Sequence, residues 1–293
     1  MPSRFAIRVI EPKSAQKKPV EGGTSCELLV VKEPGKREIW SVGDRFIHKN
    51  RGYIPGSSEI EAANIQMVTT QTSVPCPRIL ASWREGDRFL SIEERVEGES
   101  LEDIFFDVTG ADIARIGQQL GRHLTQLRGV TSPTMAMLDG RPVVDFRLFK
   151  PIANQAAAPP QGYQVCRTDD DVRQQLSYAI RGAAAALDEA QLAAFMGRMP
   201  SAQPFTFSHS DVHEGNVMVD GDGNFAALID WELAGFYPAW WEFVNGNAAL
   251  CDAFPPELKY ADALEWFTVY NALREDPAGR KTTEMLNSYM GWS

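Results

Sequence analysis

Four polar residues near the middle of the sequence have side chains that can bind a metal ion or accept a proton. His209, Asp211 and Asn216 follow one another as H-x-D-x(4)-N, and Asp230 follows in I-D-W-E after thirteen intervening residues. Carboxylate and amide oxygens suit Mg²⁺, which takes a few such ligands together with substrate phosphates. A further carboxylate beside them can accept a hydroxyl proton. These residue types are therefore suited to phosphoryl transfer onto an alcohol.

The residues around Asn216 predict a small β-hairpin that positions these side chains. Val217–Val219 and Ala226–Ile229 are apolar runs, and the sequence D-G-D-G-N between them is typical of a tight turn. The polar residues then lie in the loops at the ends of two paired strands. The hairpin is expected to bring two carboxylates and one carboxamide together.

The order and spacing of these residues resemble the catalytic core of the protein-kinase-like superfamily. In detail they resemble the aminoglycoside phosphotransferase and choline kinase-like family, particularly its fungal small-molecule kinases. The features that carry this resemblance are H-S-D in place of H-R-D, I-D-W-E in place of D-F-G, and A-G-F-Y-P-A-W-W-E after it.

The resemblance implies a role for each of the four residues. Asp211 would orient the acceptor hydroxyl and take its proton, and His209 would belong to the catalytic site by holding its loop in shape. Asn216 and Asp230 would bind Mg²⁺. His213 and Glu232 lie close to this chemistry in the sequence without an assigned role.

The N-terminal part of the sequence predicts an antiparallel meander, a helix and a further hairpin. Ile60, Ala63 and Met67 share one helical face, and Ser57 or Ser58 can cap the helix. The expected bounds are Glu27–Lys32, Glu38–Val42 and Arg45–Lys49 for the meander, Glu59–Met67 for the helix, and Ile79–Trp83 and Arg88–Glu93 for the hairpin.

In the family that the sequence resembles, a strand lysine holds the α- and β-phosphates of ATP, and a helix glutamate fixes the lysine. The order of elements assigns these roles to Lys49 and Glu61. Lys32, in L-V-V-K, is the rival lysine. It precedes Glu61 by 29 residues and would leave two strands unexplained.

Two further segments correspond to nucleotide-binding parts of the family. The segment E-R-V-E-G resembles the hinge, where backbone groups bind the adenine edge, so Glu94 and Val96 are expected to bind nucleotide. No G-x-G-x-x-G pattern precedes the lysine strand. The loop that covers the phosphates is therefore expected at residues 33–36, E-P-G-K, with a single glycine.

After Gly98 the hydrophobic pattern becomes helical. Ser100 is expected to cap a short helix, and a longer one carries an apolar stripe that includes Ile116 and Leu120. The expected helices are Ser100–Asp103, Asp112–Arg128, Asp169–Ala186, Asp188–Met199, one opened by Pro255-Pro256 that carries Leu258 to Phe267, and Lys281–Ser293.

Residues 129–168 form a long insert rich in Pro, Gly and Ala, which we expect to lie over the acceptor site. Asp169, Asp170 and Asp171 follow it and are candidate contacts for a cationic acceptor. The alternative is an acidic helix start that the helix dipole stabilises.

The elements predict an α+β fold, and the resemblance implies that it is of the protein-kinase-like, two-lobed type. Residues 1–97 would form a small antiparallel-sheet N-lobe that covers the nucleotide. Residues 98–293 would form a larger, mainly helical C-lobe with the catalytic loop, the metal site and the acceptor pocket.

The composition narrows the class of protein. The net charge of −10 argues against a nucleic-acid-binding protein, which needs a basic face, and is compatible with a cationic acceptor. The four cysteines are scattered without a C-x-x-C pair, which indicates reduced thiols in a cytoplasmic protein. No apolar run reaches the length of a membrane span, and the N-terminus lacks a signal-peptide core.

The resulting hypothesis is an ATP- and Mg²⁺-dependent kinase that phosphorylates a hydroxyl of a small molecule. A nucleotide-binding pseudokinase that acts as a scaffold is the alternative, and a protein kinase is a third. The presence of all the core residues argues against the pseudokinase, and the missing Gly-rich loop argues for it. I-D-W-E and the absence of A-P-E argue against a protein kinase. The acceptor and the oligomeric state stay open.

Overall fold

The structure is a computed structural model, and it describes residues 18–19, 25–33, 37–52, 59–143, 148, 163–181, 188–276 and 279–292. Six strands from the N-terminal part form one antiparallel sheet in the order β1-β2-β3-β4-β6-β5. Their bounds are Lys18–Pro19 for β1, Ser25–Glu33 for β2, Arg37–Val42 for β3, Phe46–Gly52 for β4, Ile79–Glu85 for β5 and Arg88–Glu94 for β6. The predicted meander and the predicted hairpin are confirmed.

Helix α1, Ile60–Gln71, joins β4 to β5, as the sequence predicted, but its details differ. The N-cap residue is Glu59, which makes no side-chain cap bond, and the predicted capping serines, Ser57 and Ser58, lie outside the described residues. Ala63 is exposed, whereas Glu61 and Asn64 are buried. The buried face also carries Ile65 and Val68, so it mixes apolar and polar residues and differs from the predicted stripe.

The rest of the described chain is mainly helical, with two small three-stranded sheets in the orders β11-β10-β7 and β12-β9-β8. The remaining strands are Glu99–Ser100 for β7, Thr131–Ser132 for β8, Phe205–Ser208 for β9, Val217–Val219 for β10, Phe225–Leu228 for β11 and Gly235–Pro238 for β12. The remaining helices are Gly110–Leu127 for α2, Asp169–Arg181 for α3, Glu189–Gly197 for α4, Trp241–Asn245 for α5, Ala248–Cys251 for α6, Ala261–Glu275 for α7 and Arg280–Met290 for α8. The α+β class is confirmed.

The predicted helix at Ser100 is wrong. Ser100 lies in β7 and pairs with Met218 of β10, and irregular turns follow β7. Its hydroxyl accepts a hydrogen bond from the Asp103 N–H, so the serine caps a turn and not a helix. Gly98 makes this pairing possible: its φ is +112°, and a Cβ there would lie 2.1 Å from the carbonyl oxygen of Val219.

The helix predicted at Pro255-Pro256 is divided into two elements. A 3₁₀ turn spans Pro256–Leu258, and α7 begins separately at Ala261. The amphipathic stripe of α2 is confirmed, since Ile116, Leu120 and Leu124 are buried. Proline has no backbone N–H to donate, and the last hydrogen bond of this 3₁₀ turn runs from the Lys259 N–H to the Pro256 carbonyl.

Two groups of buried side chains hold the C-terminal part together. One surrounds α2 and the hairpin of β10 and β11. The other is aromatic and includes Trp240, Trp241, Trp266 and Tyr270, with Trp266 and Tyr270 stacked at 5.2 Å between ring centroids. The second group supports α5, which carries residues that contact the candidate active site.

All four cysteines lie in the described part of the chain, and each is a free thiol. None of the helices in the described ranges is long and apolar enough to span a membrane.

Candidate active site

The predicted hairpin is confirmed and brings Asn216 next to the I-D-W-E segment. Val217 of β10 pairs with Leu228 of β11, and the Ile229 N–H donates to the Asn216 carbonyl at 3.0 Å. Asp230 is the next residue. One pair of short strands therefore places the two candidate metal ligands at the same end of the hairpin.

Asn216 also contacts the candidate catalytic aspartate. Its side-chain nitrogen Nδ2 donates to the Asp211 carbonyl at 2.9 Å and to Asp211 Oδ2 at 3.2 Å. The oxygen of the Asn216 amide is thus the atom suited to a cation. His213 Nε2 lies 3.8 Å from Asp211 Oδ2, so this histidine is at the site as well.

His209 is fully buried at the start of the candidate catalytic loop. Its Nε2 is 2.9 Å from the Ile229 carbonyl, and its Nδ1 accepts from the Asp211 N–H at 3.2 Å, so Nε2 carries the proton. Burial lowers the pKa of His209 to about 4. The imidazole is neutral and joins the candidate catalytic loop to the end of the hairpin.

This histidine predicts a specific pH dependence of stability. Because the folded pKa lies below the ordinary value of about 6.5, the unfolded state binds the proton first as the pH falls. The stability that neutral His209 contributes is complete above pH ~6.5 and is lost towards pH ~4, with a loss of about 2 kcal/mol already at pH 5. We expect H209Q to reduce the change in unfolding free energy between pH 7.5 and pH 5 by that amount, as measured by urea denaturation. An unchanged difference would contradict the assignment.

The residue between His209 and Asp211 has a left-handed backbone. Ser210 has φ +68°, which is uncommon for a residue with a side chain. Glu242 of α5 accepts hydrogen bonds from the His209 N–H at 2.5 Å and from the Ser210 N–H at 3.1 Å. Trp241 Nε1 donates to Ser210 Oγ at 2.8 Å, and Asn245 Nδ2 donates to the Ser210 carbonyl at 2.8 Å. Helix α5 therefore holds the loop in this conformation.

The sequence analysis used A-W-W-E only as part of the family resemblance and assigned no role to Glu242 or Asn245. Both tryptophans are buried. The available signal was a carboxylate and a carboxamide, three residues apart, among aromatic residues. Buried polar side chains need partners, so their presence in an apolar run indicates a hydrogen-bonding role.

Lys49 lies on β4 and faces α1 from the sheet. Its Nζ is 3.0 Å from Glu61 Oε1 and 3.1 Å from Glu93 Oε2, and all three side chains are buried. Burial alone would lower the pKa of Lys49, but the two carboxylates hold it above its usual value. Burial raises the pKa of Glu93. The structure brings together the predicted lysine and glutamate and adds Glu93, which the sequence analysis missed.

Arg51 is a second cation at the site, beside Lys49, and the sequence analysis did not predict it. It lies two residues after Lys49 on the same face of β4. Its Nη2 is 2.6 Å from Asp230 Oδ1, and its Nη1 is 2.8 Å from Glu232 Oε2 and 3.2 Å from Glu61 Oε2. Arg51 therefore connects the N-terminal sheet and α1 to the I-D-W-E segment.

The I-D-W-E segment has a defined backbone. Asp230 has φ +65° and precedes a 3₁₀ turn, Trp231–Leu233. Asn64 of α1 donates through Nδ2 to the carbonyls of Trp231 at 2.8 Å and Ala234 at 3.2 Å. The helix that carries Glu61 is thus hydrogen-bonded to the turn that carries Asp230.

This contact predicts a loss of stability on substitution of Asn64. N64A leaves two carbonyls without this donor inside the protein, so we expect the free energy of unfolding to fall by about 2 to 4 kcal/mol. Urea denaturation measures the change. Gln66 is exposed on the same helix, and Q66A as the control should alter the value by less than about 0.5 kcal/mol. Equal effects of the two variants would contradict the role given to Asn64.

The predicted hinge lies directly after β6. The Glu94 N–H donates to the Arg78 carbonyl at 2.9 Å, and the Arg95 N–H donates to the Arg45 carbonyl at 2.8 Å. The Glu94 side chain forms an ion pair with Arg78 at the surface. The hydrogen bonds and ion pairs given above for Lys49 and Asp211 do not involve Glu94 or Val96. A role for these two residues in nucleotide binding stays a prediction.

Asp169 and Asp171, two of the candidate acceptor contacts, form hydrogen bonds within the protein, and a role for them at the acceptor stays a prediction. Asp171 Oδ2 accepts from the N–H groups of Arg167 and Thr168, and Asp169 Oδ1 accepts from the Ala202 N–H. These contacts fit the alternative of an acidic helix start. The loop predicted to cover the phosphates lies largely outside the described residues, and so does much of the insert at residues 129–168.

The donor set fits Mg²⁺ that binds together with a nucleotide. Among the described residues there is no cluster of three or more His, Cys, Asp or Glu side chains arranged to hold a metal ion alone. Asn216 and Asp230 supply one amide oxygen and one carboxylate. Mg²⁺ is commonly bound by one or two such groups while substrate phosphates and water complete the shell.

Comparisons with known proteins agree with this arrangement. Residues 48–275 match the profile of the phosphotransferase enzyme family, APH. The chain is similar to a crystal structure of the ADP-bound aminoglycoside phosphotransferase APH(2'')-Ib, with 10% identity, coverage of 94% of this chain and 95% of that one, and a TM-score of 0.56. It is also similar to the macrolide 2'-phosphotransferase MphH from Brachybacterium faecium, with 14% identity, coverage of 90% and 91%, and a TM-score of 0.52.

A curated relative shares a shorter segment. The clavilactone A biosynthesis cluster protein Y of Ampulloclitocybe clavipes is 30% identical over 78 residues, which are 24% of this chain and 17% of that protein. The chain thus matches less than a fifth of that relative's length. Because the family profile covers most of the chain and the solved structures share its fold, the resemblance inferred from the sequence is confirmed: the chain has the protein-kinase-like fold and belongs to the phosphotransferase enzyme family.

Proposed function

We propose that this protein transfers the γ-phosphate of ATP, with Mg²⁺, to a hydroxyl of a small molecule. The observation that carries the proposal is the convergence of two groups of residues on one site. Lys49 and Glu61 pair at 3.0 Å on the sheet side, and Arg51 connects Glu61 to Asp230. Asp211 and Asn216 lie at the hydrogen-bonded end of the hairpin beside Asp230.

Each residue has a role that its contacts support. Lys49, fixed by Glu61 and Glu93, holds the α- and β-phosphates of the nucleotide. Asp211 orients the acceptor hydroxyl and takes its proton. Its backbone N–H donates to His209, and its side chain accepts from Asn216, so the carboxylate is held in position. Positioning of this kind supplies a large part of catalysis in phosphoryl transfer.

The metal site would be formed by Asn216 and Asp230. When bound with the nucleotide, Mg²⁺ supplies positive charge to the phosphate oxygens. Ile229 keeps the two ligands at one end of the hairpin, because its N–H bonds to the Asn216 carbonyl and its own carbonyl bonds to His209. No covalent enzyme intermediate is required.

We also propose a division of the chain into two lobes, with the nucleotide bound at the hinge between them. We place the N-lobe at residues 1–97 and the C-lobe at residues 98–293, with the backbone near Glu94 and Val96 as the adenine-binding hinge. The acceptor is a small molecule, as in the aminoglycoside and macrolide phosphotransferases of similar fold. An acidic protein with four free thiols and a need for ATP fits the cytoplasm.

A screen of acceptors tests the proposal. The purified protein is incubated with ATP and Mg²⁺ and a panel of aminoglycosides, choline-like amines, sugars and other small alcohols. ADP release that depends on one acceptor, with a phosphorylated product in the mass spectrum, is the expected result. A protein that binds no nucleotide contradicts the proposal. Nucleotide binding without transfer to any small molecule would favour the scaffold, and transfer to protein acceptors alone would favour a protein kinase.

A further inference from the structure

Arg51 stands among the residues proposed to bind metal and phosphate. Its guanidinium lies 2.6 Å from Asp230, 2.8 Å from Glu232 and 3.2 Å from Glu61, and the residue is only 7% exposed. A buried fork of this kind contacts several carboxylates at once and keeps a fixed position. Two of the three acids belong to the I-D-W-E segment, and one belongs to α1.

The charge of Arg51 is permanent. A guanidinium keeps its proton throughout the pH range in which proteins are folded and active, and here it pairs with the carboxylates of Glu61 and Asp230. A positive charge therefore stays beside the carboxylate of Asp230 at any working pH. Lys49 lies on the same strand face, so two cations line this side of the site.

The two cations face four buried or partly buried carboxylates: Glu61, Glu93, Asp230 and Glu232. A bare divalent cation that approaches Asp230 meets repulsion from Arg51 and must compete with it for the same carboxylate. The phosphates of a nucleotide meet the opposite effect, because both cations attract them. In a partly buried site such charge interactions are screened less than at the surface.

We propose that Arg51 makes metal binding depend on the nucleotide: it disfavours a bare divalent cation at Asp230 and favours the phosphates that arrive with the metal. The proposal rests on the proposed function, since it assigns Asp230 to the metal and this face of β4 to the phosphates. Arg51 is then a positioning and selectivity residue and does not touch the transferred group.

A purely structural role makes a different prediction. If Arg51 only held α1 to the I-D-W-E segment, its loss would loosen the site and weaken the binding of both metal and nucleotide. The electrostatic role predicts that loss of Arg51 strengthens the binding of the bare metal ion and weakens the binding of the metal-free nucleotide. The direction of two affinities therefore separates the two roles.

The experiment measures both affinities in the full chain with R51M. Mn²⁺ binding without nucleotide is followed by electron paramagnetic resonance, and ADP binding in EDTA is followed by calorimetry. We expect R51M to bind bare Mn²⁺ at least about fivefold more tightly and metal-free ADP at least about fivefold more weakly than the wild type. R51K keeps the positive charge, so both of its affinities should lie nearer those of the wild type.

Two controls complete the design. R280M removes an arginine that pairs with Glu284 at the surface of α8 and should change neither affinity. Thermal unfolding checks that R51M folds, and R51Q, which removes the charge but keeps a polar side chain, takes its place if it does not. Weaker binding of both ligands, or no change in either, overturns the role of Arg51. A wild type that binds neither ADP nor Mn²⁺ with ADP overturns the proposed function instead.

Discussion

Replacement of Asp211 by asparagine is expected to lower kcat by about 10² to 10⁴. The change keeps the size of the side chain but removes the carboxylate that we propose takes the hydroxyl proton. The affinity for ADP should stay within about twofold, because Asp211 is assigned to the acceptor hydroxyl, whereas the phosphates are assigned to Lys49, which pairs with Glu61. Steady-state kinetics with the acceptor from the screen, together with ADP calorimetry, measure the two effects.

The matched control for this change is D222N. Asp222 lies in the turn of the same hairpin, is exposed, and is far from the end that carries Asn216. Its replacement should leave kcat unchanged within about twofold. Turnover by D211N at the rate of D222N would show that Asp211 is not the catalytic base. A parallel loss of ADP binding in D211N would indicate a damaged fold instead of lost chemistry.

The sequence predicted the parts of the site that depend on order along the chain. Lys49 and Glu61 follow from a strand that is succeeded by a helix, and Asn216 and Asp230 follow from a hairpin with a clear turn. These features are local, since each pair is separated by fewer than twenty residues. Periodicity and turn chemistry are sufficient to find such pairs.

The parts that escaped prediction depend on contacts between distant segments. Arg51 and Asp230 are separated by 179 positions, and Asn64 and Trp231 by 167. No sequence pattern links the two partners of either pair. An arginine or aspartate in a sequence does not show whether its side chain lies at the surface or in a buried ion pair. Glu93 was read as one residue of a hairpin strand, although its buried carboxylate contacts Lys49.

The error at Ser100 has a similar cause. The S-x-x-D sequence suits a helix N-terminus, and its local hydrogen bond does form. The backbone of Ser100, however, pairs with Met218 across the chain, and the residues that follow make turns. The hairpin therefore overrides a local preference, and the same hairpin carries the candidate metal ligands.

Replacement of Asp230 by asparagine is expected to abolish the part of nucleotide binding that depends on Mg²⁺ and to lower kcat by at least about 10². Asparagine retains one side-chain oxygen but loses the charge that a hard divalent cation requires. It also tolerates the left-handed backbone that Asp230 adopts at φ +65°, so the 3₁₀ turn after it should persist. The variant therefore changes the charge with little change in shape.

Calorimetry of ADP binding with and without Mg²⁺ measures this effect. In the wild type, Mg²⁺ should strengthen ADP binding, and in D230N the two affinities should coincide. Metal-free ADP should bind D230N no more weakly than it binds the wild type. In the wild type the Asp230 carboxylate repels phosphate and pairs with Arg51, and D230N removes both effects. D222N again serves as the control and should keep the response to Mg²⁺. An undiminished response in D230N would remove Asp230 from the metal site, and with it the basis for the role of Arg51.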